Sequence, residues 1–471
     1  MVFSSSVFIF LYLPIVLLVY FNPIVKNRTF KNVWLFIMSI LFYAWGEPLC
    51  VFLMLLSIFV NWKLGRAIHK GRSIKGTITV AVIYNLSLLF VFKYLTFAMS
   101  NVGLLINKDF NIINITLPIG ISFYTFQALS YVIDVARSKK VCEEVDEADR
   151  VPTDNSFLDV GLYIAFFPQL IAGPIVRFET IADEIKNRKE NWQDFSEGVY
   201  RFMTGLAKKV IIANNVSIVA DAVFDGVVSS VATAWIGVIC YSIQIFFDFS
   251  GYSDMAIGLG KMFGFHFDEN FNYPYISRSV TEFWRRWHIS LSTWFRDYVY
   301  IPLGGNRVSA VRHIFNLGVI WFLTGLWHGA NWTFILWGVI YFVVQVIEKY
   351  VKFPKKLSFL GHIYTLLVVM ACWVLFRAQS ITDAGVYLSN MFGLSDVSLI
   401  DDNAIFHIKN VWVYVVAGAV FSTPVAKIID EKLKDSKLYS VVAAFVMVVL
   451  FIITIAQVIS SSYDPFIYFN F

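Results

Sequence analysis

The sequence predicts an all-α polytopic membrane protein, a bundle of about 11 to 12 transmembrane helices with re-entrant and interfacial pieces, and three observations predict it. Of the 471 residues, 58% are hydrophobic and only 15% are charged, with a mean hydropathy of +0.66, whereas soluble domains carry about a quarter charged residues. Apolar stretches of roughly 17 to 25 residues, the length that crosses about 30 Å of hydrocarbon, recur from one end of the chain to the other. The loops between them alternate in basic content, as the two sides of a membrane require.

The expected spans lie near 5–21, 33–46, 49–62, 77–97, 118–136, 203–224, 233–250, 313–329, 331–348, 360–376, 410–426 and 438–460. The first, from Val7 to Phe21, has no basic residue before it and no small-residue cleavage site after it, so it reads as a span and not as a cleaved leader. Lys26, Arg28 and Lys31 follow it, and Lys63, Arg66, Lys70, Arg72 and Lys75 fall on the same side two spans later. Between Phe97 and Pro118 there is only Lys108. Because Lys and Arg accumulate on the cytoplasmic side, the N-terminus is expected outside. Lys349, Lys352, Lys355 and Lys356, then Lys427, Lys432, Lys434 and Lys437, continue the inner set and leave the acidic 377–409 loop and the C-terminus outside.

Leu158 to Val176 breaks the alternation, since basic loops flank it on both sides and Pro168, Gly173 and Pro174 interrupt it. A re-entrant hairpin is expected there, shielded by protein because its broken backbone would be stranded in lipid. Cys50, Cys142, Cys240 and Cys372 show no CxxC or metal spacing and read as small buried hydrophobes. No repeat or interdomain linker is visible, so the expectation is one membrane domain, 1–471, with core blocks at 246–338. The net charge of +5 is modest, and no nucleic-acid partner is expected.

Three blocks carry chemistry. In Phe246–Gly258, Asp248 and Asp254 lie among Ser250, Tyr252 and other hydroxyls at the end of an apolar segment. Carboxylates at membrane depth must be paired or wet, which suggests a polar cavity; the alternative is helix capping at the interface. In the 270–305 block, helical spacing puts Trp284, Trp287, Leu291, Trp294 and Tyr298 on one face and Glu282, Arg285, Arg286 and Arg296 on the other, with His288 at the edge. Such a stripe suits a helix in the membrane interface, and its arginines suit lipid phosphates or the phosphates of a coenzyme or carrier arm equally well.

The third block, Thr324-Gly-Leu-Trp-His-Gly-Ala-Asn-Trp-Thr-Phe334, lies in a run without Asp, Glu, Lys or Arg between Arg312 and Glu348. Apolar surroundings keep an imidazole neutral, so His328 could accept a proton from a hydroxyl, with Asn331 or a backbone amide steadying charge on a carbonyl oxygen. Gly325 and Gly329 would let a helix or a narrow substrate arm approach. The alternative is a buried histidine that only bridges helices. His288 and His328 lack a third ligand at metal spacing, so no metal is expected. His69, His266, His313, His362 and His407 read as loop or interfacial residues.

The block Glu282-Phe-Trp-Arg-Arg-Trp-His-Ile-Ser-Leu-Ser-Thr-Trp-Phe-Arg-Asp-Tyr-Val-Tyr-Ile-Pro-Leu-Gly-Gly305, with Leu326-Trp-His-Gly-Ala-Asn-Trp332, resembles the membrane-bound O-acyltransferase family. More narrowly, it resembles the bacterial branch that acetylates alginate and attaches D-alanine to teichoic acid, and Pro118–Gln127, Phe166–Pro174 and Tyr463–Phe469 resemble the same branch. The resemblance implies His328 as the catalytic histidine, with Trp327 beside it, and His288 as the second functional position. It implies helices around a tunnel, a multi-pass protein of the bacterial cytoplasmic membrane, and an acyl thioester donor, acetyl-CoA or an acyl carrier, with no tightly bound cofactor. It further implies a hydroxyl acceptor outside, acetyl in preference to D-alanyl, an extracytoplasmic partner of the SGNH-hydrolase type, and a polysaccharide as final acceptor. Two rivals stand beside this reading: a transporter or flippase, although no matched halves are apparent, and a non-catalytic scaffold that would tolerate His328→Ala.

Overall fold

The computed structural model describes residues 1–24, 26–108, 110, 115–141, 151–351, 358–460 and 466. Cys142, Lys352, Lys355, Lys356 and all of the Tyr463–Phe469 block except Phe466 lie outside the described residues. Among the described residues the chain is helical, and a lone bridge between Ser230 and Ser398 is the only β pairing. The chain divides into two compact units: Met1–Phe202 with Ser253–Asp268, and Met203–Tyr252 with Glu269–Phe471. The chain passes from one to the other more than once, so no linker marks a boundary.

The first unit holds α1 (Leu13–Tyr20), α2 (Arg28–Ala44), α3 (Cys50–His69), α4 (Ile74–Leu89), α5 (Leu95–Ile106), α6 (Ile121–Val141), α7 (Phe157–Ala165), α8 (Phe167–Leu170), α9 (Phe178–Asn187) and most of α10 (Trp192–Ala207). Side chains start several of these helices by accepting orphan N–H groups: Asn27 from Thr29 N, and Ser73 from Gly76 N. Ser156 and Asp159 close a reciprocal capping box on α7. The segment expected to re-enter is broken after Ala165 and again after Leu170, and it is buried from Asp159 to Val176. Its interrupted backbone finds side-chain partners: Phe167 N donates to Ser39 Oγ at 3.0 Å, Tyr163 OH donates to Val176 O at 2.9 Å, and Gln169 Nε2 donates to Tyr163 O. A protein-shielded hairpin needs such partners in place of water.

The second unit holds α11 (Asn214–Phe224), behind a π turn at Lys208–Ala213, then most of α12 (Val231–Met262), α13 (Val280–Arg286), α14 (Ile289–Phe295), α15 (Ala310–His328), α16 (Trp332–Tyr350), α17 (Ser358–Arg377), α18 (Ile381–Met391), α19 (Asp402–Phe421), α20 (Val425–Leu433) and α21 (Lys437–Ser460). α15 and α16 pack at close range because glycine stands at both contact points: a Cβ on Gly325 would lie 2.5 Å from Phe334 O, and one on Gly338 would lie 2.5 Å from Trp321 O.

Among the described residues, eight elements are long and apolar enough to cross a membrane: α3, α4 with α5, α12, α15, α16, α17, α19 and α21. The other expected spans differ in kind. The first is the short apolar run Phe8–Tyr20, α2 has 17 residues, and α6 carries Asp134, Arg137, Lys139 and Lys140. The stretch expected at 203–224 is assembled from the end of α10, the π turn and α11.

Candidate active site

α15 is helical from Ala310 because Ser309 caps it, and it ends at His328, where Gly329 turns the backbone extended. Two residues on, Asn331 starts α16 by accepting from Thr333 N at 3.1 Å. Its amide nitrogen donates to Gln379 O at 2.9 Å, so both ends of the Asn331 side chain hold the chain in place. His328 is 3% exposed. Its imidazole meets Trp327 at 5.0 Å between centroids, Trp337 of α16 at 5.0 Å and Phe376 of α17 at 5.1 Å, all near-perpendicular. Three consecutive spans therefore form its cage.

The block around His288 is not the single helix that its spacing suggests. α13 stops at Arg286, and His288 itself adopts the left-handed region at φ 45°, ψ 53°, before α14 begins. A β-branched or bulky side chain pattern carries no sign of such a bend, since the aromatic positions repeat at helical spacing on both sides of it. The bend turns His288 fully inward, 0% exposed, against Phe249 of α12 at 4.7 Å and Trp327 at 5.8 Å. The Trp327 indole thus touches both imidazoles. Nδ1 of His288 lies 3.1 Å from Asn270 Oδ1, while Nε2 is buried and has no hydrogen-bond partner among the described residues. Burial lowers the His288 pKa to about 3.

On α12, Asp248 pairs with Lys209 at 2.8 Å, with both side chains almost wholly enclosed. Ser250 is 3% exposed and its hydroxyl has no partner among the described residues. The Tyr252 ring lies 4.7 Å from that of Phe466. Asp254 belongs to the first unit, where Arg201 holds it at 2.7 Å. Both carboxylates sit inside α12 and pair with cations; neither caps a helix end.

The three arginines also differ. Arg286 is held by Glu282 at 2.9 Å and by Asn272 O, and Arg296 by Asp297 at 2.7 Å. Arg285 is exposed and forms no ion pair among the described residues. Arg285 and Arg296 share a cleft of about 300 Å³ with Ser292, Gln345, Trp284 and Trp321. Trp284 lies 5.5 Å from Trp337, the ring against His328, so an aromatic wall separates cleft and imidazole. Lys209, Asn270, Trp337 and Phe376 were missed as site residues. Only Lys209 left a local sign, a cation inside an apolar run.

A family model described as MBOAT, the membrane-bound O-acyltransferase family, matches residues 73–383, the stretch that contains both histidines. The chain belongs to that family. This acyltransferase is 42% identical over 415 residues to a probable alginate O-acetylase of Azotobacter vinelandii, covering 86% of this chain and 80% of the relative. It is 37% identical over 499 residues to a probable alginate O-acetylase of Pseudomonas putida, covering all of both chains. Against a peptidoglycan O-acetyltransferase of Helicobacter pylori it is 34% identical over 519 residues, covering all of this chain and 98% of that one. The protein is a multi-pass bacterial membrane enzyme, and the transporter and scaffold readings are set aside.

Proposed function

We propose that one membrane domain, 1–471, moves an acetyl group from a cytoplasmic thioester, acetyl-CoA or an acyl carrier, to a hydroxyl acceptor outside, for O-acetylation of a cell-surface or exported polysaccharide with an extracytoplasmic partner of the SGNH-hydrolase type. The observation that carries this reading is the enclosed His328–Trp327–His288 cluster, two buried imidazoles against one indole. In the reaction, His328 takes the proton of the acceptor hydroxyl as its oxygen attacks the thioester carbonyl. A C–O bond forms, the C–S bond breaks, and the proton passes to the leaving thiolate. His288 accepts a hydrogen bond from the reacting complex. Arg285, exposed beside an aromatic cleft, suits donor phosphates. Acetyl is preferred to D-alanyl because the Azotobacter and Helicobacter relatives are named for O-acetyl chemistry.

The test is acetyl transfer or hydrolysis by the purified full chain with radiolabelled acetyl-CoA. His328→Gln should stay folded and lose roughly 10²- to 10⁴-fold in turnover, the usual contribution of proton transfer. A well-folded His328→Gln enzyme working near the wild-type rate overturns the assignment.

A further inference from the structure

The bend at His288 is pinned from the loop before α13, where Asn272 N donates to Arg286 O at 2.9 Å and Asn270 contributes both its backbone carbonyl and its side chain. Asn270 O accepts from Ile289 N at 2.9 Å, and Asn270 Oδ1 meets three groups: Ser290 N at 3.2 Å, Ser290 Oγ at 2.8 Å and His288 Nδ1 at 3.1 Å. A backbone N–H can only donate, so the Asn270 atom facing Ser290 N is the carbonyl oxygen and not the amide nitrogen. An oxygen of that kind can only accept, so His288 must donate to it from Nδ1. The Ser290 hydroxyl lies 3.4 Å from Nδ1 but directs its one proton to Asn270 Oδ1, so it offers Nδ1 no competing donor.

We infer that Asn270 is a positioning residue that fixes His288 as the Nδ1–H tautomer and leaves the lone pair on Nε2, ready for an N–H or O–H group of the reacting complex. The inference rests on the proposed role of His288 at the site. Nε2 fits the assignment, since it is buried and has no protein donor among the described residues. The imidazole packs against the rings of Phe249 and Trp327, and among the described residues no charged side chain faces it. Burial with no compensating charge keeps the ring neutral, so one nitrogen must carry the hydrogen and the other the lone pair.

The test has one readout that is independent of turnover. Histidine-selective ¹⁵N spectra of the full chain in detergent, with the His288 signals identified by their loss in His288→Gln, should show Nδ1 protonated and Nε2 with the resonance of a lone-pair nitrogen. The opposite assignment overturns the inference whatever the activity. The second readout is acetyl transfer from acetyl-CoA. Asn270→Ala, verified as folded by its thermal midpoint, should lose roughly 10- to 100-fold in turnover, the size of effect seen for partners that orient metal-bound histidines. Asn270→Asp keeps an acceptor at the same place, so it should recover most of that turnover; its carboxylate favours imidazolium, so the acid limb of its pH profile should move to higher pH. A merely structural Asn270 would move neither the limb nor the tautomer, and equal rate loss in Ala and Asp with unchanged profiles overturns the inference. His288→Ala at the wild-type rate would remove the proposed role of His288 instead, with the spectra still deciding the tautomer.

Discussion

Arg285, Arg286 and Arg296 are equivalent by residue type and distinct by neighbours. Arg286 and Arg296 are already held by Glu282 and Asp297, so a phosphate would have to compete with a carboxylate for them. Arg285 has no such rival among the described residues and opens onto the cleft. If it holds donor phosphates, Arg285→Ala should raise the KM for acetyl-CoA more than it lowers turnover, and Arg286→Ala should change KM less; steady-state kinetics on both variants checks the order. A KM unchanged in Arg285→Ala would leave the cleft without that role. The two histidines were legible in the sequence because a titratable group in a long apolar run stands out without any three-dimensional knowledge. Asn270 was not, because its meaning comes from a contact 18 residues away across a bend that no periodicity announces. Asn331 was legible as polar but not as a cap, since capping depends on where α16 starts.

Between elements, two contacts set the geometry that the site inherits. Gly325 and Gly338 let α15 and α16 meet backbone to backbone, which places Trp337 against His328. Gly325→Val should force the helices apart and lower stability by about 1–3 kcal/mol, the usual cost of overpacking, and the thermal midpoint in detergent measures it. Lys209 and Asp248 tie the π turn before α11 to α12 in an enclosed ion pair. Lys209→Met leaves the carboxylate buried without its lysine and should cost about 3–5 kcal/mol, whereas Lys209→Met with Asp248→Leu should regain most of it. A double variant as unstable as the single one would show that the pair does not act as a unit. Long spans were legible because length and hydropathy decide them. The break between α13 and α14 was not, since the aromatic positions keep helical spacing through it and the left-handed turn at His288 depends on Asn270.

At the scale of the molecule, the first unit is closed by a polar knot that spans its sequence. Arg188 is 4% exposed and donates to Tyr20 OH at 3.0 Å, Asn32 Oδ1 at 2.7 Å, Ile185 O at 3.0 Å and Phe263 O at 3.2 Å. Beside it, Arg28 binds Glu190 at 2.6 Å. Burial opposes ionisation of Glu190, but hydrogen bonds from Arg28 and Tyr20 outweigh it and hold the carboxyl down to about 2. A depressed carboxyl stabilises the fold above its unfolded value of about 4.3, and that stabilisation is lost as pH falls towards the folded value. Thermal stability should therefore fall between about pH 4 and pH 2, and Glu190→Gln should flatten that fall while lowering stability at neutral pH; melting curves across that range decide. The fold class was legible from composition alone, but the division into two units was not, because it depends on which distant segments meet. Residues Ser253–Asp268 complete the first unit, yet they are made only after the opening stretch of the second. The order of synthesis therefore matters: a nascent chain that has not yet reached Phe263 still lacks the carbonyl that Arg188 binds, so its first unit stays unclosed while later helices enter the bilayer, and released chains that end just before Ser253 and just after Asp268 should differ sharply in resistance to protease.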